Sequence, residues 1–499
     1  MADVKREIER KYEAGAGGLP DLTRVGGVAA VLDRGVAVLD AVYYDTADER
    51  LAAAGLTLRR RTGGSDAGWH LKFPVAPGVR DEIRAPLTDT VPDDLAGLVR
   101  SRVRSAELLP LVRLRSERDV RHLVDADGAL LAEVSADSVR AERLTGDGGT
   151  ARWTEIEVEL ADGGDPAFLD RVEKRLRKAG VHPSAAPSKL ARALEETAPA
   201  RRPRTEPPAP ATAGDHVLAY LRAQRDALVA LDPAVRRDVP DSVHRMRVAT
   251  RRLRSTFRTF RTVLDPDTTG PVADGLKWLA DALGLDRDQE VLAERLTAAA
   301  DGLPPALLLG PVHRRLTAWS GARHGSARGH LLGVLDSARY LGLLDALDAL
   351  LADPPLTKKA GRKPRKVIAA AVRKDLGQVA RLIAEAQDRP PGEQRDLALH
   401  EARKKAKRTR YAAEAATGAL GTPARSLTAS MKSLTTLLGD HQDSVMARRV
   451  LRELSAVAHA AGENTFSYGL LYGREEARAA AVEAELPIRW KQAGAGAAL

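Results

Sequence analysis

The sequence predicts an α+β protein of two domains, and three observations lead to this fold class. Residues 1–197 carry short β-rich runs separated by turn dipeptides such as Gly63-Gly64 and Asp127-Gly128. Residues 198–213 are rich in Pro and Ala, as in an extended linker. Residues 214–485 consist of Ala/Leu/Arg-rich segments with helical periodicity. These bounds define the predicted domains and linker, and we expect a flexible tail at 486–499.

The predicted strands of the first domain are short and are separated by turn residues. Besides the run at the N-terminus, the β-type runs are Val38–Tyr44, Leu56–Arg61, Gly68–Phe73, Arg80–Leu87, Glu117–Val124, Ala129–Ser135 and Thr154–Leu160. Residues Leu169–Ala179 have the spacing of an amphipathic helix. In the second domain, we expect prolines to separate the helices. They stand at Pro240, Pro271, Pro304, Pro305, Pro354, Pro355, Pro390 and Pro391.

Composition and charge limit the partners and the compartment. The 499 residues carry a formal net charge of +10 with a pI near 9.7. This excess favours an anionic partner such as nucleic acid, a phosphate polymer or an acidic surface. The absence of cysteine excludes disulfides and thiolate metal sites. Neither a signal-peptide pattern nor an apolar run of membrane length occurs, so we expect a soluble, cytoplasmic protein without a membrane partner.

The N-terminal run Glu7-Ile8-Glu9-Arg10-Lys11 is the first candidate site. On a β-strand, Glu7, Glu9 and Lys11 share one face, with Cα atoms roughly 7 Å apart. Such a face offers hard oxygen ligands for Mg²⁺ beside a cation that can hold an anionic substrate. The alternative is a solvated helix start, in which Glu7 and Lys11 form an ordinary ion pair one turn apart.

Alternating charges recur on the later strands. Arg59 and Arg61 share a face, as do Arg80 and Glu82, and Lys72 lies between the two pairs in the sequence. The carboxylates that alternate with apolar residues near the end of the domain are Glu155, Glu157 and Glu159. A charged sheet face normally meets solvent. If the sheet closes into a barrel, however, these faces line one interior, where metal ions and a polyanion would have to neutralise them.

These charged positions, taken in order, resemble the CYTH, or triphosphate tunnel metalloenzyme, superfamily over nearly all of residues 1–200. The further positions that carry the resemblance are Tyr43-Tyr44-Asp45-Thr46, Gly55, Leu58, Arg60, Asp81, Arg118, Asp137 and Ser188-Lys189-Leu190. The resemblance implies an eight-stranded antiparallel β tunnel with flanking helices, which hydrolyses or transfers a triphosphate using Mg²⁺ or Mn²⁺. The residue types suit this chemistry, because phosphoryl transfer depends on charge neutralisation and positioning more than on covalent catalysis.

Carried over by position, the resemblance implies roles for individual residues of this chain. The implied metal ligands are Glu7, Glu9, Glu157 and Glu159, with Glu82 and Asp137 as further acidic candidates. The implied phosphate ligands are Lys11, Arg59, Arg61, Lys72, Arg80, Arg118 and Lys189. The candidate catalytic residues are Glu7, Glu9, Lys11 and Lys72. One position departs from the family pattern: Ser116 stands where some members carry Lys, and Arg113 or Arg115 is the expected substitute.

The second domain contains one basic helix pattern written twice. Residues His244–Arg254 recur in outline at His400–Arg410. The matched pairs are His244 with His400, Arg247 with Arg403, Arg251 with Lys407, Arg252 with Arg408 and Arg254 with Arg410. Offsets of 0, 3, 7 and 10 residues fall within roughly 80° of arc, so each copy forms one basic stripe about 15 Å long. A second repeated pair, Leu283–Asp288 and Leu438–Asp443, supports an internal duplication. The alternative for a single copy is a solvated basic face.

This second half resembles the CHAD domain, a helical domain, over roughly residues 214–485. The residues that carry the resemblance are His244–Arg254 with Phe257 and Phe260, Leu283–Val291, His400–Tyr411 with Glu414, and Leu434–Asp443. It implies two pseudo-symmetric four-helix bundles whose basic faces meet in a groove for inorganic polyphosphate, with the paired stripe residues as ligands. Nucleic acid, the rival polyanion, is disfavoured because the stripes hold almost no aromatic residues on which bases could stack; Tyr411 and Phe257 are isolated.

Together the two patterns predict a metal-dependent hydrolase, a triphosphatase that cleaves inorganic triphosphate or short polyphosphate, joined to a polyphosphate-binding domain. We expect it in the cytoplasm, on polyphosphate granules. One alternative is a non-catalytic tunnel in a chain that only binds polyphosphate or targets granules. Another is a tunnel that acts on thiamine triphosphate, or on ATP as an adenylate cyclase. The sequence indicates no oligomeric state.

Overall fold

The computed structural model describes residues 4–14, 18–146, 148–198, 209–284 and 287–495. The chain forms two compact units, Met1–Glu206 and Pro207–Leu499. The first unit combines a β-barrel with helices and the second is all-helical, so the predicted α+β fold class is confirmed. The predicted linker at 198–213 lies mostly outside the described residues. Within the described part of the chain, no helix combines the length and apolar character that crossing a membrane requires.

The β-sheet of the first unit closes on itself. Its strands are β1 (Val4–Glu13), β2 (Ala30–Asp45), β3 (Thr57–Thr62), β4 (Gly68–Ala76), β5 (Val79–Ala85), β6 (Leu109–Val124), β7 (Leu130–Arg143), β8 (Thr150–Leu160) and β9 (His182–Pro183). Neighbouring strands are antiparallel in the spatial order β5-β4-β3-β2-β6-β7-β8-β1, and β1 also pairs with β5. The result is the predicted eight-stranded antiparallel barrel, and the short β9 pairs with the end of β1.

Apolar clusters of the first unit lie where helices pack against the barrel. These helices are α1 (Arg50–Ala53), α2 (Asp93–Val103), α3 (Ala167–Lys178) and α4 (Lys189–Glu196). Ile156 and Val158 of β8 pack with Phe168 and Val172 of α3. Because side chains alternate along a strand, the carboxylates next to Ile156 and Val158 face the barrel interior.

Strand β1 closes the barrel because its two halves pair with different strands. Val4–Ile8 pairs with β5, and Glu9–Glu13 pairs with β8. Tyr12 points outward and is fully buried in the core shared with α3. The side chains of β1 that line the interior are Lys5, Glu7, Glu9 and Lys11. The N-terminal charges therefore stand on a barrel strand, and the alternative of a solvated helix start is wrong.

The second unit consists of helices packed around two hydrophobic cores. They are α5 (Ala213–Arg236), α6 (Ser242–Thr259), α7 (Pro266–Ala282), α8 (Arg287–Asp301), α9 (Val312–Asp336), α10 (Ala338–Ala352), α11 (Pro364–Gln387), α12 (Glu393–Leu420), α13 (Thr422–Ala460) and α14 (Phe466–Ala495). The larger core includes Leu253, Leu279 and Leu344. The smaller core includes Leu296 and Leu451. Helix α6 packs against α12, so the two copies of the basic pattern stand on contacting helices.

Pro271, which the sequence predicts as a helix end, and Pro487 both lie inside helices. Pro271 is within α7, and Pro487 is within α14, which continues to Ala495. Residues 486–495 of the predicted flexible tail are helical. An internal proline costs a helix about 3 kcal/mol. Leu486 and Ala493 are buried in the larger core, and this burial holds the end of α14 in place.

Candidate functional sites

The barrel encloses a cavity of about 560 Å³ whose walls are charged. The predicted acidic residues that line it are Glu7, Glu9, Glu82, Glu157 and Glu159. The predicted basic residues that line it are Lys11, Arg59, Arg61, Lys72, Arg80, Arg118 and Lys189. Asp137 is fully buried and contacts Arg118 and Lys189. Barrel closure thus brings together side chains from both ends of the first domain.

Strands β1 and β8 supply one wall of carboxylates. Their register places Glu9 opposite Glu159 and Lys11 opposite Glu157. Lys11 Nζ lies 3.2 Å from Glu9 Oε1 and forms an ion pair with Glu157. Burial raises the pKa of Glu9, but the charges of Lys11, Lys72 and Lys189 together outweigh burial and hold that pKa below its usual value. The pKa of Glu157 lies well below its usual value, because Lys11 and Lys189 outweigh burial there. Both groups are therefore ionised.

Glu7 and Glu82 share the ammonium group of Lys72 but differ in pKa. Lys72 Nζ donates to Glu7 Oε2 at 2.5 Å and lies 3.4 Å from Glu82 Oε1. Burial raises the pKa of Glu7. Burial acts in the same direction on Glu82, but a hydrogen bond with His70 and the charges of Lys72 and Arg59 outweigh it and lower the pKa of Glu82. Glu7 is therefore the carboxylate of this pair that accepts a proton more easily.

The side chains of Asp137, Glu155 and Glu157 form a compact acidic cluster. One oxygen of each lies within 4.8 Å of the others, a spacing at which carboxylates can hold a divalent metal. Lys189 Nζ, however, lies 2.8 Å from Asp137 and 2.6 Å from both Glu155 and Glu157. Arg118 also donates to Asp137 at 2.7 and 2.8 Å. Together with Lys11, which pairs with Glu157, these two cations neutralise the three carboxylates, and the cluster positions Lys189.

Three carboxylates that line the cavity lie on β1 and β8. Glu9, Glu157 and Glu159 line the cavity on neighbouring strands and present carboxylate oxygens. Lys5 Nζ pairs with one oxygen of Glu159 at 2.6 Å. Mg²⁺ and Mn²⁺ both prefer carboxylate oxygens over nitrogen or sulfur, so the residues fit the metals that the sequence predicts.

Arg59 and Arg61 provide guanidinium groups at the cavity wall. Arg59 Nη1 donates to the hydroxyl of Tyr43 at 3.4 Å, and Arg61 forms an ion pair with Asp66. Among the described residues, the buried Nε atoms of Arg59 and Arg61 have no hydrogen-bond partner. A buried donor left without an acceptor costs about 1–3 kcal/mol. An anion with several oxygen atoms would satisfy these donors.

Strand parity corrects one prediction and reveals residues that the sequence analysis missed. Arg113 and Arg115 point away from the cavity and pair with Asp40, so neither replaces the Lys that some CYTH members carry at the position of Ser116. Both have odd numbers on β6, whereas Arg118 and the other inward residues have even numbers. Cavity-lining residues missed from the sequence include Lys5, Arg34, Arg84, His122 and Glu133. Lys5 continues the alternation of β1 and could have been found by that signal.

In the second unit, the two basic stripes meet around Lys407. Lys407 of α12 is surrounded by Arg403, Arg251, Arg247 and Arg410, which come from both copies of the pattern. Burial is the main cause that lowers the pKa of Lys407 to about 7, and the four guanidinium groups add to it. The sequence-predicted residues therefore form one concentrated positive surface, which we call the stripe surface.

Other members of the stripes are partly neutralised by carboxylates. Arg252 Nε donates to Glu414 at 2.8 Å, and Arg410 lies 3.5 Å from the same side chain. Arg408 donates to Asp375 at 3.2 Å. These contacts tie Arg252, Arg408 and Arg410 to carboxylates of the same unit.

The remaining stripe residues differ in their surroundings. Burial and the neighbouring Arg258 lower the pKa of Arg254. His400 is half-buried, and burial lowers its pKa, whereas His244 is exposed. The two histidines of the repeat are thus not equivalent.

A groove of about 940 Å³ continues the stripe surface along α12, α13 and α14. Besides Arg403, Lys407 and Arg410, its basic lining residues are Lys432, Arg478 and Arg489. The duplication could not reveal these three, because none belongs to the repeated pattern. Arg478 and Arg489 are 11 residues apart, about three helical turns, so their spacing on α14 was a usable signal.

The second repeated motif lies beside the stripes. Leu283 and Leu438 are buried at matching positions, and a glycine follows each. In the first copy, Leu285 and Asp286 lie outside the described residues. In the second copy, Asp440 accepts from Arg295 at 2.7 Å and from Arg478 at 2.9 Å. This carboxylate therefore holds α8 and α14 against α13.

A second group with metal-ligand spacing lies on the same helices. His441 Nε2 is 3.5 Å from Asp396 Oδ1 and 3.2 Å from Glu483 Oε1. Arg448 pairs with the other oxygen of Asp396, and Arg395 pairs with the other oxygen of Glu483. The two guanidinium groups neutralise the carboxylates, so the group joins α12, α13 and α14 as an ion-pair network.

The fold and the two sites define a class of protein: a charged β-tunnel domain joined to an all-helical domain with a duplicated basic helix. The CYTH domain family matches residues 5–194, and the CHAD domain family matches residues 219–452. The uncharacterized protein Rv2226 of Mycobacterium tuberculosis is 40% identical over 486 residues, covering 94% of this chain and 92% of that protein. The chain therefore belongs to the family of proteins that carry a CYTH domain followed by a CHAD domain, as predicted.

Two solved structures are similar to more than half of the chain. PptA from Streptomyces chartreusis has 20% identity and a TM-score of 0.47, covering 56% of this chain and 99% of its own. The CHAD domain from the plant Ricinus communis has 25% identity and a TM-score of 0.45, covering 58% of this chain and 96% of its own.

Proposed function

We propose that the tunnel domain is a metal-dependent triphosphatase that hydrolyses inorganic triphosphate or the end of a short polyphosphate. The observation that carries this proposal is the division of one closed cavity into two walls. Carboxylates of β1 and β8 line one wall, and the guanidinium groups of Arg59 and Arg61 line another. A triphosphate with bound metal ions carries both signs of charge and matches such a cavity.

Each wall has a distinct task in the proposed reaction. Glu9, Glu157 and Glu159 would hold the divalent metal, which when bound lowers the pKa of water and neutralises phosphate charge. Arg59, Arg61 and Lys72 bind phosphate oxygens and keep the chain in line for attack by water. Glu7, whose pKa burial raises, accepts a proton from the attacking water at its carboxylate.

Orthophosphate release tests this proposal on the full-length protein. We expect release from triphosphate with Mg²⁺ or Mn²⁺, and a loss of about 100-fold or more in the double variant Glu9→Gln/Glu159→Gln. Glu13→Gln is the matched control, because Glu13 is on the same strand but pairs with Arg192 and does not line the cavity. Equal release by the wild type and the double variant would overturn the proposal. Binding of polyphosphate without release under any metal would favour the non-catalytic alternative.

For the helical domain, we propose binding of inorganic polyphosphate at the stripe surface. The supporting observation is Lys407, whose pKa is lowered to about 7 by burial and by the nearby guanidinium groups of both copies of the pattern. A linear polyanion would relieve this repulsion along its length. Such binding would place the triphosphatase beside its substrate, on polyphosphate granules in the cell.

The burial of two aromatic side chains near the stripes favours polyphosphate over nucleic acid as the ligand. Tyr411 is 4% exposed, and Arg410 stacks 4.8 Å from its ring centroid. Phe257 is 3% exposed and packs in the larger core. Neither ring can stack on a base, and stacking provides much of the affinity for single-stranded nucleic acid. Competition between polyphosphate and single-stranded DNA at equal phosphate concentration tests this preference, and DNA should displace polyphosphate poorly.

A further inference from the structure

A glycine faces a stripe arginine in each copy of the duplicated pattern. A Cβ atom on Gly284 would lie 2.8 Å from Arg247 Nη2 and 3.0 Å from its Cζ. A Cβ atom on Gly439 would lie 3.3 Å from Arg403 Nη2 and 3.5 Å from its Nε. Both guanidinium groups therefore lie against bare backbone; a side chain at Gly284 would force its arginine to move, and one at Gly439 would crowd its arginine.

The backbone itself does not require glycine at these positions. Neither Gly284 nor Gly439 has a positive φ, and Gly439 stands in the middle of the long helix α13. A glycine in a helix interior costs about 1 kcal/mol relative to alanine. Among the glycines that the structure describes, no other faces a guanidinium group in this way: a Cβ atom on Gly473 in α14 would meet no atom within 4 Å. The glycines of the repeat are therefore explained by the arginines that they face.

We infer that Gly284 and Gly439 are positioning residues of the stripe surface, which seat the guanidinium groups of Arg247 and Arg403 in one orientation. This inference rests on the proposed binding of polyphosphate. A guanidinium fork binds a phosphate group through two parallel hydrogen bonds, so its orientation matters as much as its charge. Each glycine fixes the orientation of one guanidinium group before the ligand binds, which lowers the entropic cost of binding.

The inference predicts that stability and affinity respond in different ways to the same substitution. Gly439→Ala should leave the melting temperature equal or higher, because alanine favours the helix and the displaced group is the end of a flexible side chain. Its affinity for long-chain polyphosphate should nevertheless fall. Gly284→Ala should lose more affinity, about 10-fold, because its Cβ atom would come closer to the guanidinium. Gly473→Ala is the control, with unchanged affinity.

A double-mutant cycle on the full-length protein tests whether each glycine acts through its arginine. Gly284→Ala should weaken binding in the wild type but have no further effect in an Arg247→Ala background, and Gly439→Ala should behave in the same way with Arg403→Ala. Equal losses in both backgrounds, or no loss in the wild type, would overturn the inference while leaving the proposed function intact. Failure of the wild type to bind polyphosphate would overturn both. If one alanine variant does not fold, the cycle in the other copy decides.

Discussion

The protonation state of a single residue, Lys407, can report on the binding of a polyanion. Burial first, and then four nearby guanidinium groups, lower its pKa to about 7, so part of the population is neutral at physiological pH. A bound polyanion would raise that pKa, and binding would then take up a proton above about pH 7. We therefore expect polyphosphate affinity to fall as the pH rises from about 6 to 9, which calorimetry or fluorescence anisotropy can measure.

The Lys407→Arg variant is the control for this pH dependence, because arginine keeps its charge throughout that range. Its affinity should stay nearly constant between about pH 6 and 9. A wild-type affinity that is independent of pH, or a variant that keeps the full dependence, would show that Lys407 does not face the ligand.

Residue types and spacing predict which side chains meet, but not how their charges are shared. The alternation at Glu7, Glu9 and Lys11 is enough to place all three in one interior. The ion pair between Lys189 and Asp137 depends on the residue at which α4 begins after the barrel. No local sequence pattern predicts that residue. Sequence reasoning therefore finds the members of the candidate site, while pairing within it needs the tertiary structure.

At the scale of elements, the end of α14 offers a direct test of packing against propensity. Leu486 is buried in the larger core next to Pro487, a residue that disfavours helix. We expect Leu486→Ala to lower the free energy of unfolding by about 2–5 kcal/mol, because it leaves a cavity where a leucine packs. Denaturant unfolding followed by circular dichroism measures the change.

Ile488→Ala is the matched control, because Ile488 is 61% exposed on the same turn of α14. Its effect should stay within about 0.5 kcal/mol, as for most surface substitutions. Similar losses for the two variants, or no loss for Leu486→Ala, would mean that this end of α14 does not stabilise the unit.

Prolines 271 and 487 show why some element boundaries escaped prediction. Local rules place a helix end at each, because proline lacks a backbone donor. In α7, Val272 and Leu276 pack in the core after the proline, and in α14, Leu486 and Ala493 pack there on either side of it; this burial offsets the loss. The strands were better predicted, since their period-two alternation reflects a wall that is apolar outside and charged inside.

At the scale of the whole molecule, both candidate sites form by bringing together distant parts of the chain. The tunnel requires that β1 pair with β5 in one half and β8 in the other. The stripe surface requires that α6 pack against α12. The sequence contains a duplicated basic pattern but no local signal for either contact. Only the family resemblance therefore predicted a closed tunnel and basic faces that meet.

Because the chain forms two compact units, we expect that the two proposed activities can be separated in the full-length protein. Reversing charge at Arg247, Arg251, Arg403 and Lys407 to Glu should abolish polyphosphate binding, because like charges would then meet the ligand. Milder replacement by Gln should weaken binding and reduce the slope of log affinity against log salt by about 1 for each cation that no longer meets a phosphate. Triphosphate turnover should persist in both variants, because none of the four residues lines the tunnel.

Net charge alone could weaken polyphosphate binding, so the reversal needs a control with the same total charge. Four exposed cations of the same unit serve this purpose, reversed together: Arg314, Arg381, Arg425 and Arg449. If long-range attraction by the net charge dominated, the two charge-reversed variants would bind polyphosphate equally weakly. Lowering the salt concentration would then restore little of the affinity of either variant. If only the stripe variant lost affinity, the ligand would instead be located on α6 and α12. There the duplicated pattern concentrates positive charge, which together with burial lowers the pKa of Lys407 to about 7.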